Sequence, residues 1–338
     1  LSVNTKNKFS NKKIKINNSN IFFKDNLNEI ISIIKISNAV LFFDEKKLFN
    51  LFDLKGEVFN IPFSLEYQHT LNSNKNKSIE IEANDLRLKI INESFRLDEN
   101  LTNGMNNIST LNSTINTKYN ILDQIITFES SNSRTHNSKV NYNGRLTINP
   151  FDLDLKIDLD NYKISNLFIS NSVINEFIKS GLLFNKNISI NTSININSKI
   201  RDEIFHYVNI KLNILKGKIN FDNTVFINDD IGLLEITNSD LFLENDKLTL
   251  NANLSIDIKN TDRLFSFLNT SKKSRKDIKN IKLNIIYDFL SNQVELKNIK
   301  INDNDVSSQF NNIAEGFIDI NSNNLTKSRK LLNELINL

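Results

Sequence analysis

Histidines, carboxylates and clustered cations are the side chains in this sequence with the widest chemical reach, and their spacing argues against an active site. His69, His136 and His206 are far apart, and no second histidine accompanies any of them at the spacing of a zinc or iron site. Each is expected at the surface or in a loop. Asp152, Asp154, Asp158 and Asp160 share one strand face, and Asp303 with Asp305 sits in a turn-like stretch. Calcium, however, takes six to eight oxygens from a loop that folds back on itself, which a straight strand does not supply. Acid-base catalysis by such a pair would need a pocket and a displaced pKa. Both groups are therefore expected on a solvated outer face.

Phosphate chemistry fares no better. No Walker loop, dinucleotide fingerprint or G-x-S-x-G elbow is present, and Lys216-Gly217-Lys218 is too short to cradle a phosphate. The compact basic cluster Lys272, Lys273, Arg275 and Lys276 lacks interleaved aromatics on which bases could stack, so a solvated loop is expected there. Net charge is +3, too weak a field to gather nucleic acid. The chain has no cysteine, which excludes disulfides and thiolate metal sites. The expectation is a non-enzymatic protein with no cofactor, no metal and no nucleic-acid partner.

What would position any ligand is a set of strands. Phe151, Leu153, Leu155, Ile157 and Leu159 alternate with Asp152, Asp154, Lys156, Asp158 and Asp160. Successive strand side chains point to opposite faces, so this segment sorts into an apolar side and a charged side, which a helix could not do. Ile188, Ile190, Ile194 and Ile196 repeat the pattern against Asn and Ser; Leu248, Leu250, Leu254, Ile256 and Ile258 do so against Thr, Asn and Asp. Ile281, Leu283, Ile285, Tyr287 and Phe289 follow, with shorter runs at Ile14 to Ile16, Ile79 to Ile91, Val140 to Ile148 and Val294 to Ile301. Roughly fifteen strands are expected on this pattern.

With 7 Gly and 2 Pro, the turns must be made mainly by Asn, Asp and Ser, which tolerate left-handed backbone. Gln68 to Ser78, Glu99 to Ser113 and Glu129 to Lys139 are polar and pattern-free, and are expected as long loops or partly disordered insertions. Short helices are expected at 169–180 (Ile169, Val173, Phe177 and Ile178, with Ser172 as cap and Gly181 as stop), at Asp262 to Leu268, and at 328–337. Each is a connector packed on a sheet end, or a plug or lid.

A repeat is also visible. Ile36, Asn38, Leu41, Phe42 and Phe43 match Ile236, Asn238, Leu241, Phe242 and Leu243, and Ile16, Asn18, Ile21, Phe22 and Phe23 fit the same frame. It reads as a strand ending, an Asn-centred bend, and a new strand opening on paired aromatics. A sheet that grows by accretion of such units is expected.

The segment Leu215–Leu268 carries Lys216-Gly217, Ile219 and Phe221, then Ile231-Gly232, Leu241 and Leu248, a cadence of glycine, alternating strand, short polar turn and Leu-rich strand. In this it resembles the C-terminal region of AsmA-like proteins, large envelope proteins of Gram-negative bacteria; the likeness extends over much of residues 140 to 338 and more loosely over the first half. The resemblance implies a periplasmic protein anchored in the inner membrane through a segment outside these residues, with a groove-like sheet related to TamB-type and YhdP-type proteins that carry phospholipid towards the outer membrane.

The fold expected is thus all-β dominated, an elongated, curved, repetitive antiparallel sheet with a few short helices. It divides into a β-rich repeat region with polar insertions at 1–140 and an AsmA-like sheet region at 141–338. The function expected is phospholipid handling in an apolar groove lined by Phe151, Leu153, Leu155, Ile157, Leu159, Ile188, Ile190, Ile194, Ile196, Leu248, Leu250, Leu254, Ile256, Ile281, Leu283, Ile285 and Tyr287. Envelope membrane proteins are the partners this implies. Two alternatives stand beside it: a secreted, adhesin-like β-solenoid whose apolar face is a dry core, and an outer-membrane barrel, for which zero Trp and 6 Tyr supply poor aromatic girdles.

Overall fold

The computed structural model describes residues 8–24, 28, 30–71, 76–98, 100–136, 138–164, 182–199, 204–244, 247–289, 291 and 293–307. The chain is all-β, about 69% strand and 6% helix, so the period-two signal dominates as expected. It forms two compact units, Leu1–Asp160 and Asn161–Leu338. The division falls twenty residues beyond position 140, because the strand Ser138–Thr147 pairs on one side with Ile125–Ser130 and on the other with Phe151–Asp160.

The first unit is an antiparallel meander of β1 (Ile14–Lys24), β2 (Ile30–Asp44), β3 (Phe49–Val58), β4 (Ile61–Thr70), β5 (Lys77–Ala83), β6 (Leu88–Arg96), β7 (Leu101–Ser109), β8 (Ser113–Leu122), β9 (Ile125–Ser130), β10 (Ser133–Thr135), β11 (Ser138–Thr147) and β12 (Phe151–Asp160). Each strand pairs with its sequence neighbour, except that β9 and β10 together fill one place between β8 and β11. The second unit repeats this plan with β13 (Ile188–Asn197), β14 (Tyr207–Leu215), β15 (Lys218–Asn220), β16 (Thr224–Asn228), β17 (Gly232–Glu244), β18 (Lys247–Ile258), β19 (Asn280–Asp288), β20 (Gln293–Ile301) and β21 (Asn304–Asp305), where β15 and β16 share one place.

More strands form than the roughly fifteen expected from pattern alone, in part because two of the three polar segments hold whole strands. Gln68 to Ser78 contains the end of β4 and the start of β5, Glu99 to Ser113 contains β7, and Glu129 to Lys139 contains β10. Polar side chains of these segments and of the strands beside them pair across the ladder: the Asn107 amide donates to Asn116 Oδ1, Ser113 and Thr135 hydroxyls lie 2.7 Å apart, and Thr117 and Tyr142 hydroxyls 2.6 Å apart. Cross-strand hydrogen bonding thus replaces the apolar contact that alternation scoring looks for.

Turns follow the Asn and Asp rule. Two-residue hairpins with both residues at positive φ occur at Phe59-Asn60, Asp123-Gln124, Lys216-Gly217 and Asn302-Asp303, the geometry that matches strand twist. Lys216-Gly217 is therefore a hairpin tip between β14 and β15.

The Asn-centred frame of the repeat marks something other than a strand end. β2 and β17 run through it unbroken, and Asn238 (φ 48°) sits where β17 gains one residue over β18. Asn132 (φ 55°), Asn223 (φ 64°) and Asn298 (φ 51°) mark the same event in β9/β10, β15/β16 and β20, while Asn18 (φ 49°) lies opposite Ser37, where β2 gains a residue over β3. These are β-bulges, and Asn accepts their left-handed backbone at low cost.

Buried hydroxyls repair the ladder beside them. Ser133 Oγ accepts from Asn116 N at 2.9 Å and donates to Asn116 O at 3.0 Å; Thr224 Oγ1 does the same with Lys211, at 2.9 and 3.3 Å. Ser239 Oγ accepts from Phe221 N at 2.7 Å and donates to Asp222 Oδ1, also at 2.7 Å. Ser239→Ala strands the Phe221 N–H and is expected to cost about 1–3 kcal/mol; a denaturant midpoint unchanged from wild type would show the hydroxyl to be dispensable.

Glycines admit rings on the same face as the apolar strand positions. A Cβ on Gly104 would lie 2.1 Å from Tyr119 Cζ, and one on Gly144 would lie 2.5 Å from Phe128 Cζ and 2.4 Å from Asp154 O. In both places an aromatic from the next strand covers a glycine. Because Gly144 also meets backbone, Gly144→Ala is expected to destabilise by about 1–3 kcal/mol, read as a fall in Tm.

Of the expected helices, Asp262 to Leu268 is present as α1 (Thr261–Leu268), capped by Asn260, whose side chain accepts from Arg263 N at 3.0 Å. Those at 169–180 and 328–337 lie outside the described residues.

Candidate functional site

Register determines what shares a face. In the second unit, one row across the sheet is Ile190, Ile214, Ile219, Leu241, Leu250, Tyr287 and Val294, each opposite the next. Another is Ile196, Val208, Phe226, Leu234, Ile256, Ile281 and Ile301. Every Asp, Glu, Lys and Arg of β13 to β20 stands on the other face, among them Lys211, Glu235, Asp257, Lys282 and Glu295. In the first unit the central row is Ile16, Ala39, Leu54, Leu65, Ile81, Ile90, Ile108 and Ile115. Leu153, Leu155, Ile157 and Leu159 of β12 lie opposite Leu146, Gly144, Tyr142 and Val140 on this same face.

The groove residues named from sequence therefore fall on the apolar faces, but not all remain accessible. Ile196, Leu248 and Ile281 are sealed by protein, at 0%, 3% and 5% exposure. α1 places Phe265 and Leu268 with Ile278 over Ile281, Ile299 and Ile301, with Ile256 and Leu283 packed alongside. Leu183 and Phe184 pack over the cluster of Ile214, Ile219, Leu241 and Leu248, which Ile188, Ile190 and Leu250 adjoin. Between these covered parts, Ile194, Leu254, Ile285 and Tyr287 are half-buried, as are Phe151, Leu153, Leu155, Ile157 and Leu159 in the first unit. The apolar face is thus dry where protein covers it and part-exposed elsewhere.

The opposite face is an ionic lattice. Lys89 Nζ reaches Glu80 at 2.6 Å and Glu82 at 2.9 Å, Lys35 pairs with Glu57 at 2.9 Å, and Lys282 with Asp303 at 2.8 Å. The hydrogen bonds that Lys89 donates to Glu80 and Glu82 push its pKa up to about 12, and Lys282 holds Asp303 below the usual aspartate range. Hollows of about 470 and 210 Å³ open here, the first lined by Lys35, Glu57 and Pro62 and the second by Gln68, Ser78 and Glu93.

Among the described residues, no group of three or more His, Cys, Asp or Glu side chains could hold a metal. Asp305 instead accepts from Ser307 N at 2.8 Å. In the basic loop, Arg275 pairs with Asp262 at 3.0 Å, tying the loop to α1. No described helix is long and apolar enough to cross a membrane.

One histidine departs from expectation. His69 is not at the surface: it is 4% exposed on the apolar face, opposite Asn50 on β3 and Lys77 on β5. The run Tyr67-Gln68-His69-Thr70 gives no apolar alternation that would have placed it inside. His206 lies in the loop before β14, and His136 (φ 52°) in the turn after β10. Comparison of this chain with protein-family models, with curated proteins and with solved structures gives no match in any of the three.

Proposed function

We propose that this chain is a non-enzymatic module of the bacterial cell envelope, of AsmA-like type, that binds phospholipid along its apolar sheet faces and passes it through the periplasm between inner and outer membrane. The observation that carries this reading is the complete exclusion of charge from one face of β13 to β20, together with the part-exposure of Ile194, Leu254, Ile285 and Tyr287 on it. An acyl chain of about sixteen carbons costs up to roughly 13 kcal/mol to bring into water, at about 0.8 kcal/mol per CH₂. A carrier must therefore offer apolar side chains in unbroken rows, and rows seven and eight strands wide are what register provides here.

A dry, adhesin-like solenoid is the competing reading, favoured by the sealed side chains of Ile196, Leu248 and Ile281. Against it stands the antiparallel pairing of sequence neighbours, since β-helix solenoids stack parallel coils. The chain purified from cells without detergent should carry phospholipid detectable by mass spectrometry. Protein that emerges lipid-free and takes up none from added vesicles would retire the lipid reading in favour of the dry core.

A further inference from the structure

The apolar face of the first unit is not free of charge everywhere. All acids of β1 to β12 stand on the opposite face: Asp44, Asp53, Glu57, Glu66, Glu80, Glu82, Glu93, Glu129 and the four aspartates of β12. Among the strand residues of this unit, basic side chains on the apolar face occur on three adjacent strands; ahead of β1, Lys8 also reaches this face, its Nζ 4.1 Å over the Phe43 ring. His69 of β4 is directly opposite Lys77 of β5, Lys77 is opposite Ser94 of β6, and Arg96 is the next β6 residue on that face.

Directly opposed residues have Cβ atoms about 5 Å apart and diagonal ones about 7–8 Å, so Lys77 has His69 on one side and Arg96 on the other, and Lys77 and Arg96 are close enough to share one phosphate. Lys77 is half-buried, and burial together with the Arg96 charge pulls its pKa below the ordinary lysine value. Two like charges are thus held close on a poorly hydrated surface, an arrangement that an anion relieves. Arg96 is oriented by its Nε, which donates to Asp98 O at 2.9 Å. Along β5 from Lys77, Ile79 and Ile81 follow on the same face, about 7 and 13 Å away at about 3.3 Å per residue, and Ile81 belongs to the central apolar row.

We infer that His69, Lys77 and Arg96 form a headgroup site, in which Lys77 and Arg96 hold the phosphate of a phospholipid while its acyl chains lie along the row through Ile81 and Ile90. This rests on the lipid reading above and adds to it a fixed polarity, with the anionic end at the margin formed by the end of β4, the start of β5 and the end of β6. Among the described strand residues of the second unit no basic side chain stands on the apolar face, so headgroup selection is assigned to the first.

The test is native mass spectrometry of the full chain with phosphatidylglycerol or with diacylglycerol of the same acyl chains. The wild type should retain phosphatidylglycerol at least about tenfold better, the effect of one charge-assisted hydrogen bond or more. Lys77→Gln with Arg96→Gln should abolish that preference and leave diacylglycerol retention unchanged, while Lys77→Arg should keep it. Equal retention of the two lipids by the wild type, or a preference that survives the double substitution, overturns the headgroup site and leaves the apolar face standing as a lipid surface. Retention of neither lipid overturns both. Glycerol phosphate that competes as well as the intact lipid would show that a free anion is the ligand, against the proposal.

Discussion

Phe265→Ala is expected to lower the unfolding free energy of the second unit by about 3–5 kcal/mol, the range for removing a fully buried phenylalanine. Phe265 is 0% exposed and is the centre of α1's contact with the sheet, among Leu268, Ile278, Ile281, Ile299 and Ile301. The helix has eight residues, too few to persist by its own hydrogen bonds, so the packing of this face is what keeps it. Losing the ring should release α1 and expose the row ending in Ile281 and Ile301. Guanidinium titration followed by circular dichroism measures the loss. A change under about 1 kcal/mol would mean that the sheet folds without its helix.

The second large effect concerns binding. Leu254→Glu combined with Ile285→Glu places two carboxylates on the part-exposed apolar face, where an acyl chain would have to lie against an unpaired charge. Phospholipid recovered with the protein should fall by at least about tenfold, since desolvating one such charge costs several kcal/mol. Ser255→Glu, one residue away but on the face that holds Glu235 and Lys282, should leave lipid recovery unchanged. If all three substitutions behave alike, the two faces are equivalent and the proposed lipid surface does not exist.

Where sequence was informative, it was because apolar residues recur at alternate positions through most of a strand. β12, β13, β18 and β19 are legible residue by residue, since Ile and Leu alternate with Asp, Asn and Ser through most of each strand. β7 was not, because Thr102, Gly104 and Asn106 occupy its inward positions, where the Tyr119 ring lies over Gly104, while Asn107, Ser109 and Asn116 hydrogen-bond to one another on the opposite face. α1 was legible from its apolar stripe alone. The Asn frame was visible as a repeat, but its meaning lay in pairing, because a bulge is defined by how many residues the neighbouring strand has.

The basic trio was illegible for a related reason. His69, Lys77 and Arg96 lie 8 and 19 residues apart in the chain and meet only through two hairpins whose registers are set elsewhere. Composition also concealed them, since lysine is common throughout and only its restriction to one face by pairing makes Lys77 unusual.

The bulges have a consequence for how this chain tolerates the loss of single codons. β20 holds one residue more than β19 requires, so excising Asn298 would restore an even count and keep Leu296, Ile299 and Ile301 in phase with Ile285, Leu283 and Ile281. β12 carries no such surplus: excising Lys156 would turn Ile157 and Leu159 out into water and swing Asp158 inward. Deletions should therefore accumulate at the asparagines with left-handed backbone and be purged from the strands between them.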